Sequence, residues 1–291
     1  MATPREIRRR IRSVRNTSQI TRAMEMVSAA KMRRAQERVR AARPYAERIR
    51  LMIAGLSALG ASVDREAFPL LEQRPLNRVG VILVTADRGL AGAFNTNVIR
   101  RAVRFIRDDS GHPAELITVG RKGRDFFSRT TQEIEAEFTA LGDAPSMDML
   151  RPIIDVAVQD FTSGKVDAVY LIYTKFVNTL NQLPEVLQIL PITAPEDATA
   201  EEQVQDFIFE PDPQTVLQAL LPRYIETQVY QALLESVASE HSARMVAMRA
   251  ASDNANDFIN ELTLTLNKAR QAQITREVSE IAAGAAALGG R

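Results

Sequence analysis

Residues 4–40 read PREIRRRIRSVRNTSQITRAMEMVSAAKMRRAQERVR. Apolar or small residues recur there at alternating steps of four and three: Ile7, Ile11, Val14, Ser18 and Thr21, and later Met32, Ala35 and Val39. Ala42, Ala46, Ile49, Ile53 and Leu56 carry the rhythm on. This heptad pattern predicts a helix with one seam turned to a partner helix. Thr3 before Pro4 suits an N-cap followed by proline in the first turn. Pro44 is expected to bend the helix without ending it. Some 56 residues at 1.5 Å each make a rod of roughly 80 Å.

The partner lies at the other end of the chain. A short helix is expected up to Leu220, with Pro222 forcing a break or a new start. From there to Leu288 nothing interrupts a helix except Gly284, which predicts a second rod of roughly 65 residues, or about 100 Å. Its middle holds Ala238, Ser239, Ser242, Ala243, Ala247, Ala250, Ala251, Ser252 and Ala255, small residues that let two backbones approach closely. The two rods satisfy one another as an antiparallel coiled coil, with Leu56 near the start of the C-terminal rod. The C-terminal rod should overhang as a single helix by about ten residues, roughly 15 Å.

Between the rods the pattern changes. Val79–Val84 is an apolar run of strand length, Asn95–Arg107 an amphipathic helix and Leu116–Val119 a strand. Arg121–Ser128 reads as a short helix, Met147–Thr162 as a longer one, and Val166–Phe176 and Leu187–Ile192 as strands. Alternation of this kind predicts a mostly parallel sheet with helices on its faces. The fold class is α/β with long helices: residues 1–60 an N-terminal coiled-coil helix, 76–195 a Rossmann-like α/β domain, and 207–291 a C-terminal coiled-coil helix. Residues 195–205 read as an acidic surface loop.

Composition narrows the chemistry. The 291 residues contain no Cys, which excludes disulfides, thiolate metal sites and thiol nucleophiles. No apolar run approaches the ~18 residues that span a bilayer. The net charge is +1, but residues 1–50 hold fifteen Lys/Arg against four Asp/Glu. A basic end of that kind points to an acidic partner: protein, nucleic acid or lipid.

The turn Thr85-Ala-Asp-Arg-Gly-Leu-Ala-Gly92 is neither G-x-G-x-x-G nor a Walker sequence, and Gly120-Arg-Lys-Gly123 is not one either. Both read as structural turns. The two histidines, His112 and His241, stand far apart in the sequence, which speaks against a metal site. Glu240, His241 and Ser242 are neighbours on a helix and point about 100° apart, so they form no triad with one another. Arg5, Arg8, Arg9, Arg10, Arg12 and Arg15 would suit a nucleic-acid backbone, but no aromatic precedes Tyr45 to stack on a base. A basic coiled-coil protein that binds nucleic acid, and a small-molecule enzyme built on the α/β domain, are the competing readings.

Several segments together resemble the gamma subunits of F-type ATP synthases. They are the run Ile7–Met32, Asp87-Arg-Gly-Leu-Ala-Gly92, Gly120-Arg-Lys-Gly123, Glu240–Asn254, and Asn267–Thr275 followed by Glu277 and Gly284–Ala287. The resemblance covers essentially the whole chain in order. It implies a non-catalytic rotor shaft with no catalytic residue, cofactor or metal of its own. The implied partners are the alpha and beta subunits, the epsilon subunit and the membrane c-ring, with no nucleic acid. It also implies a peripheral place on the cytoplasmic face of the bacterial membrane, through the complex alone. Rotor–stator contacts carry over to Arg22, Met24 and Glu25 on the N-terminal rod and to Arg88 in the 87–92 turn. On the C-terminal rod they carry over to Arg244, Arg270, Gln271, Thr275 and Glu277. An apolar tip, Ile281–Leu288, is expected to act as a pivot.

Overall fold

The computed structural model describes residues 3–58, 68–193 and 212–289, with the backbone alone at 54–58, 213 and 284–289. The expected 195–205 loop and the side chains of Leu56 and of the tip beyond Ala283 lie outside the described residues. Helix α1 runs Pro4–Ala58. Strand β1 (Val79–Val84), helix α2 (Phe94–Arg104), β2 (Ala114–Val119), α3 (Arg121–Phe127), β3 (Ile134–Phe138), α4 (Met147–Thr162), β4 (Ala168–Phe176) and β5 (Gln182–Leu190) follow. Helix α5 spans Pro213–Gly289. The chain divides into two compact units, Met1–Val27 with Met245–Arg291, and Ser28–Arg244.

In the first unit α1 opens with a capping box. The Thr3 hydroxyl accepts from the Glu6 amide, and the Glu6 carboxylate accepts from the Thr3 amide. Ile7, Ile11, Val14, Ser18 and Thr21 are the residues turned inward, as the heptads predict. Across the seam α5 presents Met248, Ser252, Ala255, Ile259, Leu262, Leu266 and Ala269 at the same alternating spacing. Thr21 meets Ser252 through their hydroxyls at 2.6 Å, and Ser18 donates to Asn256. Stepping back along α1 means stepping forward along α5, so the pair is antiparallel. Ala269 is the last seam residue, and every residue from Arg270 to Ala283 is exposed. Helix α5 therefore continues some 20 residues past the seam, about 30 Å, twice the overhang expected.

The second unit holds a five-stranded sheet in the order β3-β2-β1-β4-β5, parallel except for the β4–β5 hairpin. All six residues of β1 are buried, as a central strand covered on both faces requires. One face packs on α2 through Val98 and Ala102, on the π-helical turn Phe105–Asp109 that follows it through Phe105, and on α3 through Phe127. The other packs on α4 and on stretches of both long helices: Ile49 and Ile53 of α1, and Leu217, Leu221, Ile225 and Val229 of α5. One expectation needs correcting. Pro222 does not break α5. An interior proline costs about 3 kcal/mol, but Leu217, Leu221 and Ile225 around it are buried in the main core. Each such side chain contributes about 1.5–3 kcal/mol, so together they outweigh it. Strand β3 adds an element beyond those predicted, and Ile134-Glu-Ala-Glu-Phe138 alternates at period two. Its glutamates pair with Lys165 and Arg124, charges of the kind that protect an edge strand from further pairing.

Gly120, between β2 and α3, has φ +94°, and a Cβ there would run into the Thr85 carbonyl. Gly142 also has positive φ, +76°, but faces open space. Gly120→Ala is expected to cost about 3 kcal/mol or more, and Gly142→Ala about 1–2 kcal/mol. Unfolding free energies from denaturant titration check the order.

Candidate functional site: the 87–92 loop and the exposed helix faces

The loop after β1 is held from within by its own polar groups. Asp87 accepts from the Arg121 amide at 3.0 Å and from the Ala140 amide at 2.9 Å. The Ala86 amide donates to the side chain of Asn95. The Thr85 hydroxyl accepts from the Gly123 amide, which fastens the start of α3. Helix α5 grips the same loop from behind: the Arg244 guanidinium donates to the Gly89 carbonyl and to Glu240. Arg244 is only 8% exposed, so its donors are committed inside the unit. What the loop shows outward is Arg88 and Leu90, the latter 63% exposed at φ +62°.

Open α/β sheets take ligands beyond the carboxyl ends of their strands. Here that space is a cavity of about 40 Å³ lined by Thr85, Asp87 and Gly120 and by Leu233, Ser236 and Glu240 of α5. It has room for no more than a few waters, whereas small-molecule sites enclose about 300–1,000 Å³. The long helix fills the crevice in which a nucleotide would sit.

The remaining contact candidates stand on the coiled-coil unit. Arg22 is exposed, and Met24 and Glu25 are half-buried, with Glu25 3.8 Å from Arg249 of α5. Ile20 and Val27, which the sequence reading did not single out, flank Met24 on one exposed apolar stripe. Arg270, Gln271, Thr275 and Glu277 are all exposed beyond the seam. Ile274, Val278 and Ile281 add a second exposed stripe, readable from spacings of four and three. Arg88 and Arg244 meet at one loop. The Arg22–Glu25 group lies level with Ser252, well short of the Arg270–Glu277 group beyond the seam.

Behind the loop sits a set of charges the sequence did not reveal. His241 is 2% exposed. Its Nδ1 lies 3.3 Å from Nη1 of Arg244, and its Nε2 lies 3.1 Å from Asp143, off the hydrogen-bonding direction. Burial lowers its pKa from 6.5 to about 4, against the pull of Asp143 and with help from Arg244 and Lys31. Burial alone would raise Asp143, but the Lys31 hydrogen bond and the neighbouring positive charges hold it below the usual carboxylate range. Glu240 is pushed up by burial despite Arg244. His241 is thus neutral at neutral pH and is no general base with open access to solvent.

Because the folded state holds His241 neutral, the unfolded chain binds the extra proton between pH 6.5 and about 4. Stability contributed at this site is complete above pH 6.5 and is lost as the pH falls through that window, by at most about 1.4 kcal/mol per unit. The stability of the parent chain relative to His241→Gln should therefore fall on acidification from pH 7 to 4. Unfolding titrations of both chains at several pH values test the sign.

A family model described as ATP synthase matches residues 3–288. The ATP synthase gamma chain of Chloroflexus aurantiacus is 52% identical over 290 residues, 99% of each chain. That of Roseiflexus castenholzii is 53% identical over 291 residues, again 99% of each. Among solved structures, a chain of the central stalk/c-ring of Tetrahymena thermophila mitochondrial ATP synthase is 25% identical, with a TM-score of 0.60, covering 80% of this chain and 99% of that one. No helix among the described residues is long and apolar enough to cross a membrane. Matched along nearly its whole length, the chain belongs to the ATP synthase gamma chain family.

Proposed function

We propose that this chain is the rotating shaft that couples turning of the membrane c-ring to ATP synthesis or hydrolysis at the beta subunits, and is itself non-catalytic. The observation that carries the reading is α5 beyond Ala269: a single helix exposed on every side through Ala283, with polar and apolar stripes side by side. A lone helix with an uncovered apolar stripe calls for a surrounding partner, and a ring of alpha and beta subunits supplies one. Arg270, Gln271, Thr275 and Glu277 there, and Arg22, Met24 and Glu25 on α1, are the proposed stator contacts. Arg88 contacts the stator directly, and Arg244 acts through the loop it holds. Drive comes from the other end of the shaft, through the epsilon subunit and the c-ring. The shaft sits peripherally on the cytoplasmic face of a bacterial membrane, held there by the complex. A shaft biases an equilibrium: each of its faces must favour one beta conformation over another. The crevice filled by α5 supports a mount in place of a nucleotide enzyme.

Reversing Arg8, Arg9 and Arg12 together to Glu should weaken assembly with alpha and beta subunits and flatten its salt dependence, whereas single reversals, about 0–1 kcal/mol each, fall near the detection limit. Binding measured at two ionic strengths decides, and unchanged affinity in the triple variant removes the electrostatic role. Deleting 284–291 should lower torque modestly while ATP turnover persists. Replacing Arg270 and Gln271 with Ala should impair coupled turnover more. The opposite ranking would exchange pivot and catch.

A further inference from the structure

The β3–α4 loop, residues 139–146, takes its hold from three directions, all within the second unit. Lys31 of α1 reaches the Asp143 carboxylate at 2.6 Å, and Arg38 of α1 donates to the Asp143 carbonyl at 3.0 Å. His241 of α5 stands 3.1 Å from the other carboxylate oxygen. From the sheet side, Asp87 accepts the Ala140 amide, while Arg244 fixes Gly89 in the loop that carries Asp87. One carboxylate thus meets both long helices, and its loop is bonded to the loop after β1.

The backbone gives a second, independent sign. Among the described residues, Leu90 and Ala140 are the non-glycine residues with positive φ, +62° each. That conformation costs a side-chain-bearing residue on the order of 1 kcal/mol and persists where surrounding contacts over-determine it. One of the two sits in each of the loops bonded through Asp87. Apolar packing between the sheet and the helices is non-directional and tolerates slip, whereas hydrogen bonds and close ion pairs weaken steeply when turned or stretched.

We propose that Asp143 is a positioning residue that locks the α/β layer to α1 in angle, beside the hold that α5 has on the layer through Arg244 and Gly89, so that a twist applied to the layer reaches both helices. The proposal rests on the shaft reading above. It assigns to Lys31, Arg38 and Asp143 a mechanical role in coupling, separate from any contact with the stator.

The test uses the full chain in a reconstituted complex with its membrane sector, comparing Asp143→Lys, the exchanged pair Lys31→Asp with Asp143→Lys, and the parent. Protons pumped per ATP hydrolysed should fall at least threefold in Asp143→Lys, with ATP hydrolysis within twofold of the parent. The exchanged pair should recover at least half of the loss. In the free full chain, amide hydrogen exchange over 139–146 should accelerate at least tenfold in the single variant. Should Asp143→Lys fail to fold, Lys31→Gln carries the same measurements. A loop that loosens while pumping per ATP stays at the parental value overturns the proposal, as does a loop that stays protected, or an exchanged pair that recovers nothing. Failure of the shaft reading looks different: the parent chain itself would not co-purify with alpha and beta subunits.

Discussion

Eight consecutive residues of α5, Ala232 to Ser239, are buried on every side. A helix normally buries one stripe and leaves the rest to water. This stretch has no free side because the sheet edge and the crevice at the strand ends take one flank and α1 the other. Ala35 of α1 packs with Val237 and Ala238, and Ala243 packs with Ala86 and Ala91 of the loop after β1 and with Phe94 at the start of α2. The small residues are therefore explained by more than close approach of two rods. They let one helix lie between another helix and an α/β layer.

Polar groups in and just past that stretch are partnered in part: among the described residues Glu235 Oε2 and Ser236 Oγ are buried without a hydrogen bond, whereas two serines have one. Buried hydroxyls need partners. Ser239 and Ser242 find theirs in the carbonyls of Thr174 and Thr179, at and just past the end of β4. Arg244, one turn on, spends its donors on Gly89 and Glu240. A Rossmann-like sheet whose ligand crevice is plugged in this way loses a binding site and gains a rigid attachment. Fold and function separate here, as they do wherever one framework serves unrelated tasks.

The coiled-coil unit solves a different problem. Its seam includes Ser18, Thr21 and Ser252 beside Ile7, Met248 and Leu262. Apolar contacts alone would tolerate a shift along the helix axes. The Thr21–Ser252 and Ser18–Asn256 hydrogen bonds specify one register, because a slipped pair would leave the buried Ser252 hydroxyl without the Thr21 oxygen, while Thr21 keeps only its bond to the Ser18 carbonyl of its own helix.

Much of this was legible in the residues themselves. The heptads of α1, the antiparallel partner, the limits of β1 and α4 and the character of the 87–92 segment as a turn follow from spacing, because periodicity reports directly which face of an element is buried. Strand β3 and the apolar stripe at Ile274, Val278 and Ile281 were also readable at periods of two and three-to-four. Other features belong to tertiary structure alone. Pro222 stays helical because distant side chains bury its neighbours. Arg244, which in sequence is one more cation on a helix, is turned inward by a carbonyl that lies 155 residues away along the chain. Lys31, Asp143 and His241 share no motif and meet only when two helices and a loop converge. Sequence determines local periodicity, and with it each element and its buried face. Which charges end up neighbours depends on long-range packing, because electrostatic partners are set by distance and burial in space and leave no period along the chain.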